Sequence, residues 1–531
     1  MPSTRGTLSF TNLFTCQRNA SGTCVSGTGL SYGDGLLGYV QQGQLSNVYF
    51  VDQRLFMASG FAQDDFKLSR RLTLNLGLRY DFSAPAVEGK NHISNFDPTG
   101  SGALLLAKGG SLEDRALVNP DHNNCAPRVG FAFQVDNNTV LRAGYGIFYQ
   151  LFERYGSEDQ MALNPPFLIN NVPAAASNAT APVFFLRDGF PADFLDPAKL
   201  DLRRVRIRAV NPRSPSPYVQ QWSVGVQRTL PWHLFVQADY VGTKSTYLTA
   251  LSDFNQPING QLPYPNFGYI EYRSPTGNGH YNGLDLTVER RFQSDLTFRI
   301  AYTYSQSVDN VAEPLNTNSG NAQDGRNYRA WVGPSDFDIP HRLVATYVWD
   351  LPFGKGKRIA NSGPLAWILG GFRTSGGWTY ASGRPFTVTA GGSLSSAIDP
   401  FGAATAVPNQ IGPVAQPNNV DCWFYNSRQA ACRSLTPNAT DGFQLQQTGQ
   451  LGNAGRNTLR GPNTRVFDFS LQRNFPIREQ MGVEFRWEVF NLFNTTQFSL
   501  PNRDFSSSAA GTITTLASDP RVMQFALRFK F

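Results

Sequence analysis

From Arg71 to Phe82 apolar and polar residues alternate one by one. Leu72, Leu74, Leu76, Leu78, Tyr80 and Phe82 fall on one parity, and Arg71, Thr73, Asn75, Gly77, Arg79 and Asp81 on the other. Successive side chains of a β-strand point to opposite faces, so this is a strand with one greasy side and one wet side. The pattern recurs at Leu296, Phe298, Ile300, Tyr302 and Tyr304, at Leu343, Ala345, Tyr347, Trp349 and Leu351, and at Val483, Phe485, Trp487 and Val489. It closes the chain at Met523, Phe525, Leu527, Phe529 and Phe531, while helical spacing is nearly absent. The alternation predicts about fourteen strands, near 7–15, 55–66, 70–82, 128–135, 139–150, 218–229, 232–243, 282–292, 295–306, 341–352, 371–382, 464–474, 480–492 and 521–531. Most approach the roughly 9–11 residues that cross a bilayer when tilted.

The links between these strands alternate in length. Lys67–Arg70, Asp136–Asn138, Thr229–Pro231, Gln293–Ser294 and Phe475–Glu479 are tight, whereas the segments near 83–127, 151–217, 244–281, 307–340, 383–463 and 493–520 are long and rich in Asn, Pro, Gly, Ser and Ala. A soluble sandwich has no reason to place every long loop at one end. A transmembrane barrel does, with short periplasmic turns and long extracellular loops. The expected fold is therefore all-β, a transmembrane antiparallel meander barrel, in one domain over 1–531. Counting through fourteen strands puts both termini on the periplasmic side.

Charge decides which face meets lipid. Glu484, Arg486 and Glu488 share the polar parity of one strand, and Asp285, Glu289 and Arg291 that of another. Turning Arg to the bilayer midplane costs roughly 2–4 kcal/mol, so these six are expected in the lumen. Tyr80, Phe82, Phe148, Tyr149, Tyr240, Tyr304 and Trp349 fall near strand ends, where interfacial girdles stand.

Composition narrows the function. The chain has 531 residues, with 49 Gly, 34 Pro, 40 Phe, 20 Tyr and 8 Trp, which is turn-rich and aromatic-rich. No apolar run approaches the roughly 18 residues of a membrane-spanning helix, and the longest helix-like apolar piece is Pro364–Phe372. The net charge of +7 is spread out, and its densest cluster, Arg203, Arg204, Arg206 and Arg208, has no interleaved stacking residues, so nucleic acid is not an expected partner. No cofactor is expected either. GDGLLG at Gly33–Gly38 lacks the βαβ setting of a dinucleotide loop, and the five His are scattered without ligand spacing. Asp121 beside His122 and Asp338 near His341 are sequence neighbours without a nucleophile motif, so the chain does not read as an enzyme. Cys16 with Cys24, and Cys422 with Cys432, are spaced to close local disulfides, leaving Cys125 odd. Trp331, Trp423, Phe424 and Tyr425 in the long loops either contact a solute or pack the loops.

Several stretches resemble the barrel of Oar-like TonB-dependent outer-membrane transporters: GFAQDDFKLSRRLTLNLGLRYDF (Gly60–Phe82), APRVGFAF (Ala126–Phe133), TVLRAGYGIFY (Thr139–Tyr149) and SPYVQQWSVGVQRTLP (Ser216–Pro231). The likeness continues in YNGLDLTVERRF (Tyr281–Phe292), HRLVATYVWDLPFGKGK (His341–Lys357), FRWEVFNLFNTTQF (Phe485–Phe498) and DPRVMQFALRFKF (Asp519–Phe531). The resemblance implies a bacterial outer-membrane location and a complete barrel of about 22 strands. It also implies a signal peptide, a carboxypeptidase-regulatory-like domain, a TonB box and a plug upstream of the barrel, of which this chain would be the C-terminal portion. Partners implied are outer-membrane lipid, the barrel-assembly machinery that reads the strand ending at Phe531, the TonB energy-coupling complex through the upstream parts, and a large, scarce extracellular solute. A structural or adhesive envelope protein and a passive porin are the competing readings.

Overall fold

The computed structural model describes residues 3–150, 161–177, 181–290, 295–311, 322–391, 398–402, 404–447, 449–478 and 481–531. One antiparallel meander dominates it. Its strands, in chain order, are β1 (Met57–Lys67), β2 (Leu72–Ser83), β3 (Cys125–Gln134), β4 (Thr139–Tyr149), β5 (Tyr218–Leu230), β6 (Leu234–Asp253), β7 (Ile270–Arg290), β8 (Leu296–Asp309), β9 (His341–Asp350), β10 (Phe372–Ala381), β11 (Thr464–Arg478), β12 (Met481–Phe490) and β13 (Val522–Lys530). Each pairs with its sequence neighbours, and β1 and β13 form the two edges. Turns of three or four residues join one end of the wall, at 68–71, 135–138 and 231–233.

The strand expected at 7–15 is not part of this wall. Only Thr7–Ser9 is extended, and it pairs with Gln42–Ser46 in a small separate sheet completed by Asn170–Asn171. The chain turns at once: the Cys16 N–H donates to the Asn12 carbonyl, the Phe14 N–H to the Asp34 carboxylate, and Cys16 is bonded to Cys24. Alternation over so few residues loses to this local loop closure. The wall therefore shows thirteen strands, and the segment before β1 packs among the long connections instead of crossing. The parity that put both termini at the short-turn end fails for the first of them. GDGLLG lies in a short helix, Ser31–Leu37, and its last glycine, Gly38, caps that helix at φ +72°.

Register sorts the faces. One rung across β2 to β6 reads Leu76, Val129, Tyr145, Trp222 and Gly242, and the next, on the other face, reads Gly77, Arg128, Gly146, Gln221 and Thr243. The apolar face is bare: Phe525, Leu527 and Phe529 are each about 70% exposed. The chain exposes 29526 Å² in all, against about 19,000 Å² for a compact soluble chain of this mass. An open wall with both faces uncovered accounts for such a surplus. On the outer face Arg228 and Arg473 stand toward strand ends and Lys244 stands level with Gln220 near the start of β5, where the cost falls to about 0–1 kcal/mol. Asp64, on the edge strand β1, is the outward charge nearest mid-strand.

β6 and β7 run for 20 and 21 residues, about twice a membrane crossing. Their pairing shifts register between Thr246 and Ala250, and beyond that point they project past the wall. There they carry the parallel strand Ile207–Val210 on Ile270–Arg273. Beyond Thr246 the strands have folded loops as neighbours, not the next wall strand.

Candidate functional site at the inner face and the loop lobes

The inner face is lined with ions and small residues. Glu484, Arg486 and Glu488 stand there on β12, opposite Asn474, Gln472 and Ser470 of β11. Arg486 bridges to Glu484 at 2.8 Å and to Glu488 at 3.6 Å, and Lys530 of β13 reaches Glu484 at 2.6 Å. Val483, Phe485, Trp487 and Val489 face the other way, against Phe529, Leu527, Phe525 and Met523 of β13, with the rings of Trp487 and Phe525 stacked. A one-residue slip would turn three charges to the apolar side, so the charges pin the register. Asp285 shares the inner face with Asp239 and accepts the Thr303 hydroxyl, and Glu289 stands opposite Arg299. Arg291 lies outside the described residues.

Between β1 and β6 the inner face holds a hollow of about 590 Å³. Its floor is the bare backbone of Gly77, Gly130, Gly144 and Gly146, and its rim is Gln63, Asn75, Arg128, Phe148, Gln221 and Ser223. Glycine inside a strand removes the side chain and lets another group approach the main chain. Phe148 is thus not a girdle residue: it stands on the inner face beneath the Arg128 guanidinium, 4.7 Å from the ring centre. The even-odd pattern of β4 already carried this signal, because Phe148 shares the parity of Gly144 and Gly146.

The long connections fold into compact lobes. One lobe, from the described residues of 84–124, 161–217 and 254–269, centres on Phe96, Ile207, Ala209, Phe267 and Ile270, with a second cluster of Ile93, Val118, Met161, Ala162 and Val210. The other, from the described residues of 322–340, 382–463 and 491–521, buries Trp331, Phe386, Val388, Val407, Phe424, Phe443 and Phe505. The alternative left open for the loop aromatics is resolved by burial. Trp331, Phe424 and Tyr425 are inside the packing, and the Trp423 indole donates to the Arg460 carbonyl at 2.6 Å. Cys422 and Cys432 are bonded within this lobe, and Cys125 is free and exposed. Arg456 pairs with Asp309 at the end of β8, and Arg460 pairs with Asp338, which also accepts the Ser307 N–H of β8, tying the lobe to the wall.

The basic cluster is dispersed. Arg203 pairs with Asp201, while Arg206 and Arg273 hold the fully buried Glu271 between the Ile207–Val210 strand and β7. Asp338 and His341 likewise turn to different partners, the former to Arg460 and the Ser307 N–H, the latter to the Tyr302 hydroxyl at 2.8 Å. Asp121 accepts from Ser216 N–H, and His122 stacks on Phe82. Among the described residues no group of three or more His, Cys, Asp or Glu is placed to hold a metal ion.

Asp253, at the projecting end of β6, is buried beneath both lobes. Burial pushes its carboxyl up to about 7, and Asp399 adds to this while Arg326 opposes it. The unfolded value is near 3.9, so between roughly pH 4 and 7 the folded lobes hold a proton that the unfolded chain has released. Stability from this group is present in acid and is lost as pH rises through 7. Cleavage of the long connections by protease in isolated outer membranes should be severalfold faster at pH 8 than at pH 5, and Asp253→Asn should flatten that difference.

A wall of antiparallel strands with hydrocarbon on one face and ions on the other defines an outer-membrane β-barrel protein. The chain belongs to the family described as the outer membrane beta barrel domain, which matches residues 1–524. No curated protein matches it. Among solved structures it is similar to the outer membrane transporter YddB from Escherichia coli, with 11% identity, a TM-score of 0.44, and coverage of 92% of this chain and 50% of that one. It is also similar to the siderophore receptor PiuA from Acinetobacter baumannii, with 13% identity, a TM-score of 0.42, and coverage of 93% and 44%. The ferripyoverdine receptor of Pseudomonas aeruginosa gives 10%, 0.40, 91% and 39%. The chain thus spans half or less of the length of these structures.

Proposed function

We propose that this chain forms the wall of a TonB-dependent transporter, with the loop lobes outside the cell and the short turns in the periplasm. The observation that carries this reading is the union, along thirteen consecutive strands, of an apolar outer face with an ion-lined inner face and of folded lobes at one end only. In this orientation the end of β13 lies in the periplasm and the segment before β1 outside. The lobes capture a large, scarce solute, and a plug in the polar lumen moves to release it inward. The glycine-floored hollow gives such a plug a seat where main chain meets main chain. The Oar-like character belongs to the same proposal, as do contacts with the TonB complex and the assembly machinery.

Cells making the protein from its own locus, offered ferric chelates, oligosaccharides and peptides, should show saturable uptake of at least one class. That uptake should stop when the inner-membrane TonB complex is removed. Uptake that persists unchanged without the complex identifies a passive pore, and absence of uptake across the panel favours the adhesive reading.

A further inference from the structure

The connection 351–371 departs from its end of the wall. The turns at 68–71, 135–138 and 231–233 at that end take three or four residues, whereas this segment carries the helix Gly363–Leu369. The helix is held in place. A Cβ on Gly354 would come within 2.4 Å of Gly370 Cα, and one on Gly370 within 2.4 Å of the Ala366 carbonyl oxygen, so the two arms of the connection touch where only glycine fits. Arg473 of β11 clamps the helix to the wall, donating from Nη1 to the Ile368 carbonyl at 2.7 Å and from Nη2 to the Trp367 carbonyl. Its guanidinium lies 5.8, 5.0 and 4.4 Å from the ring centres of Trp367, Phe372 and Phe475.

Register puts Arg473, Phe372 and Phe475 on the outer face, in line with Phe485 and Val483. The helix therefore abuts the face that meets lipid, at the level of the short turns. Leu365, Trp367, Ile368 and Leu369 are exposed, Trp367 at 73%. Lys355 and Arg358 of the same connection are exposed as well, and among the described residues neither pairs with a carboxylate.

We propose that residues 353–370 are an interfacial anchor for the anionic phospholipid leaflet at the short-turn end. Trp367 and its apolar neighbours enter the acyl boundary, and Lys355 and Arg358 meet headgroup phosphates. Aromatic and aliphatic side chains on a short helix with adjacent cations are what such a layer binds. The surface is continuous with the outer face of the wall, which selects lipid over a soluble partner. The proposal rests on the outer-membrane reading of the wall.

The test uses the full chain in isolated outer membranes, in a Cys125→Ser background, with a bimane label on Ile368→Cys and, in a separate protein, on Leu527→Cys. Unheated gel mobility confirms that each is folded. The expected result is quenching of the Ile368 label by 5-doxylstearate at least threefold stronger than by aqueous iodide, with Leu527 likewise lipid-exposed. Replacing Lys355 and Arg358 together by Glu should raise quenching by neutral aqueous acrylamide at position 368 at least twofold and leave position 527 unchanged. Strong iodide quenching of the Ile368 label in the parent, or shielding from both quenchers, would overturn the anchor while the wall reading stands. Iodide quenching at position 527 would remove the wall reading, and the anchor with it.

Discussion

Ile300→Arg should abolish or sharply reduce the folded species in outer membranes, while Ala301→Arg, one residue along, should fold. Ile300 stands near mid-strand in β8, on the outer rung with Val288 and Ala345, and Ala301 stands on the inner rung with Thr287 and Val344. An Arg facing hydrocarbon at mid-depth costs about 2–4 kcal/mol, and the same side chain in a wet lumen keeps its hydration. The measurement is the compact band on unheated gels and its urea midpoint. Equal behaviour of the two variants would mean that the faces are not in different solvents.

Phe424→Ala should open the second lobe without dissolving the wall. Phe424 is 0% exposed, with the rings of Phe386 and Phe443 6.0 and 6.4 Å away centre to centre. Truncating a buried Phe costs about 3–5 kcal/mol in transfer and cavity terms. The lobe has its own core, so the loss falls on local opening. Trypsin should then reach Arg428 and Arg433 much faster than in the parent, while the wall's gel mobility is retained. Unchanged cleavage would show that the lobe is not a cooperatively packed unit.

Strand position and face were legible in the sequence because lipid and water impose opposite demands on adjacent residues. Leu72 to Tyr80 and Met523 to Phe529 alternate for that reason, and the charges of β12 follow from the same rule. Where both faces meet protein the rule has nothing to act on. β6 and β7 accordingly continue past their expected ends, and 7–15 reads as a strand only until the Cys16–Cys24 loop takes over. The girdle position assigned to Phe148 failed because closeness to a strand end was weighed above parity. The lobes were the least legible part. Their cores join Trp331, Phe424 and Phe505 from three connections far apart in sequence, which no local period can announce.

The bordering strands β1 and β13 run in the same direction, since twelve reversals separate them. Bending the wall until they touch would create a parallel ladder inside an otherwise antiparallel cylinder. A twin standing upright alongside offers no better match, because its borders point the same way. Antiparallel closure needs an odd number of further staves. Until they are in place, two columns of amide hydrogens and carbonyl oxygens face hydrocarbon, each unmet group costing several kcal/mol. Any strands that complete the cylinder would have to pair with both borders as the wall enters the bilayer.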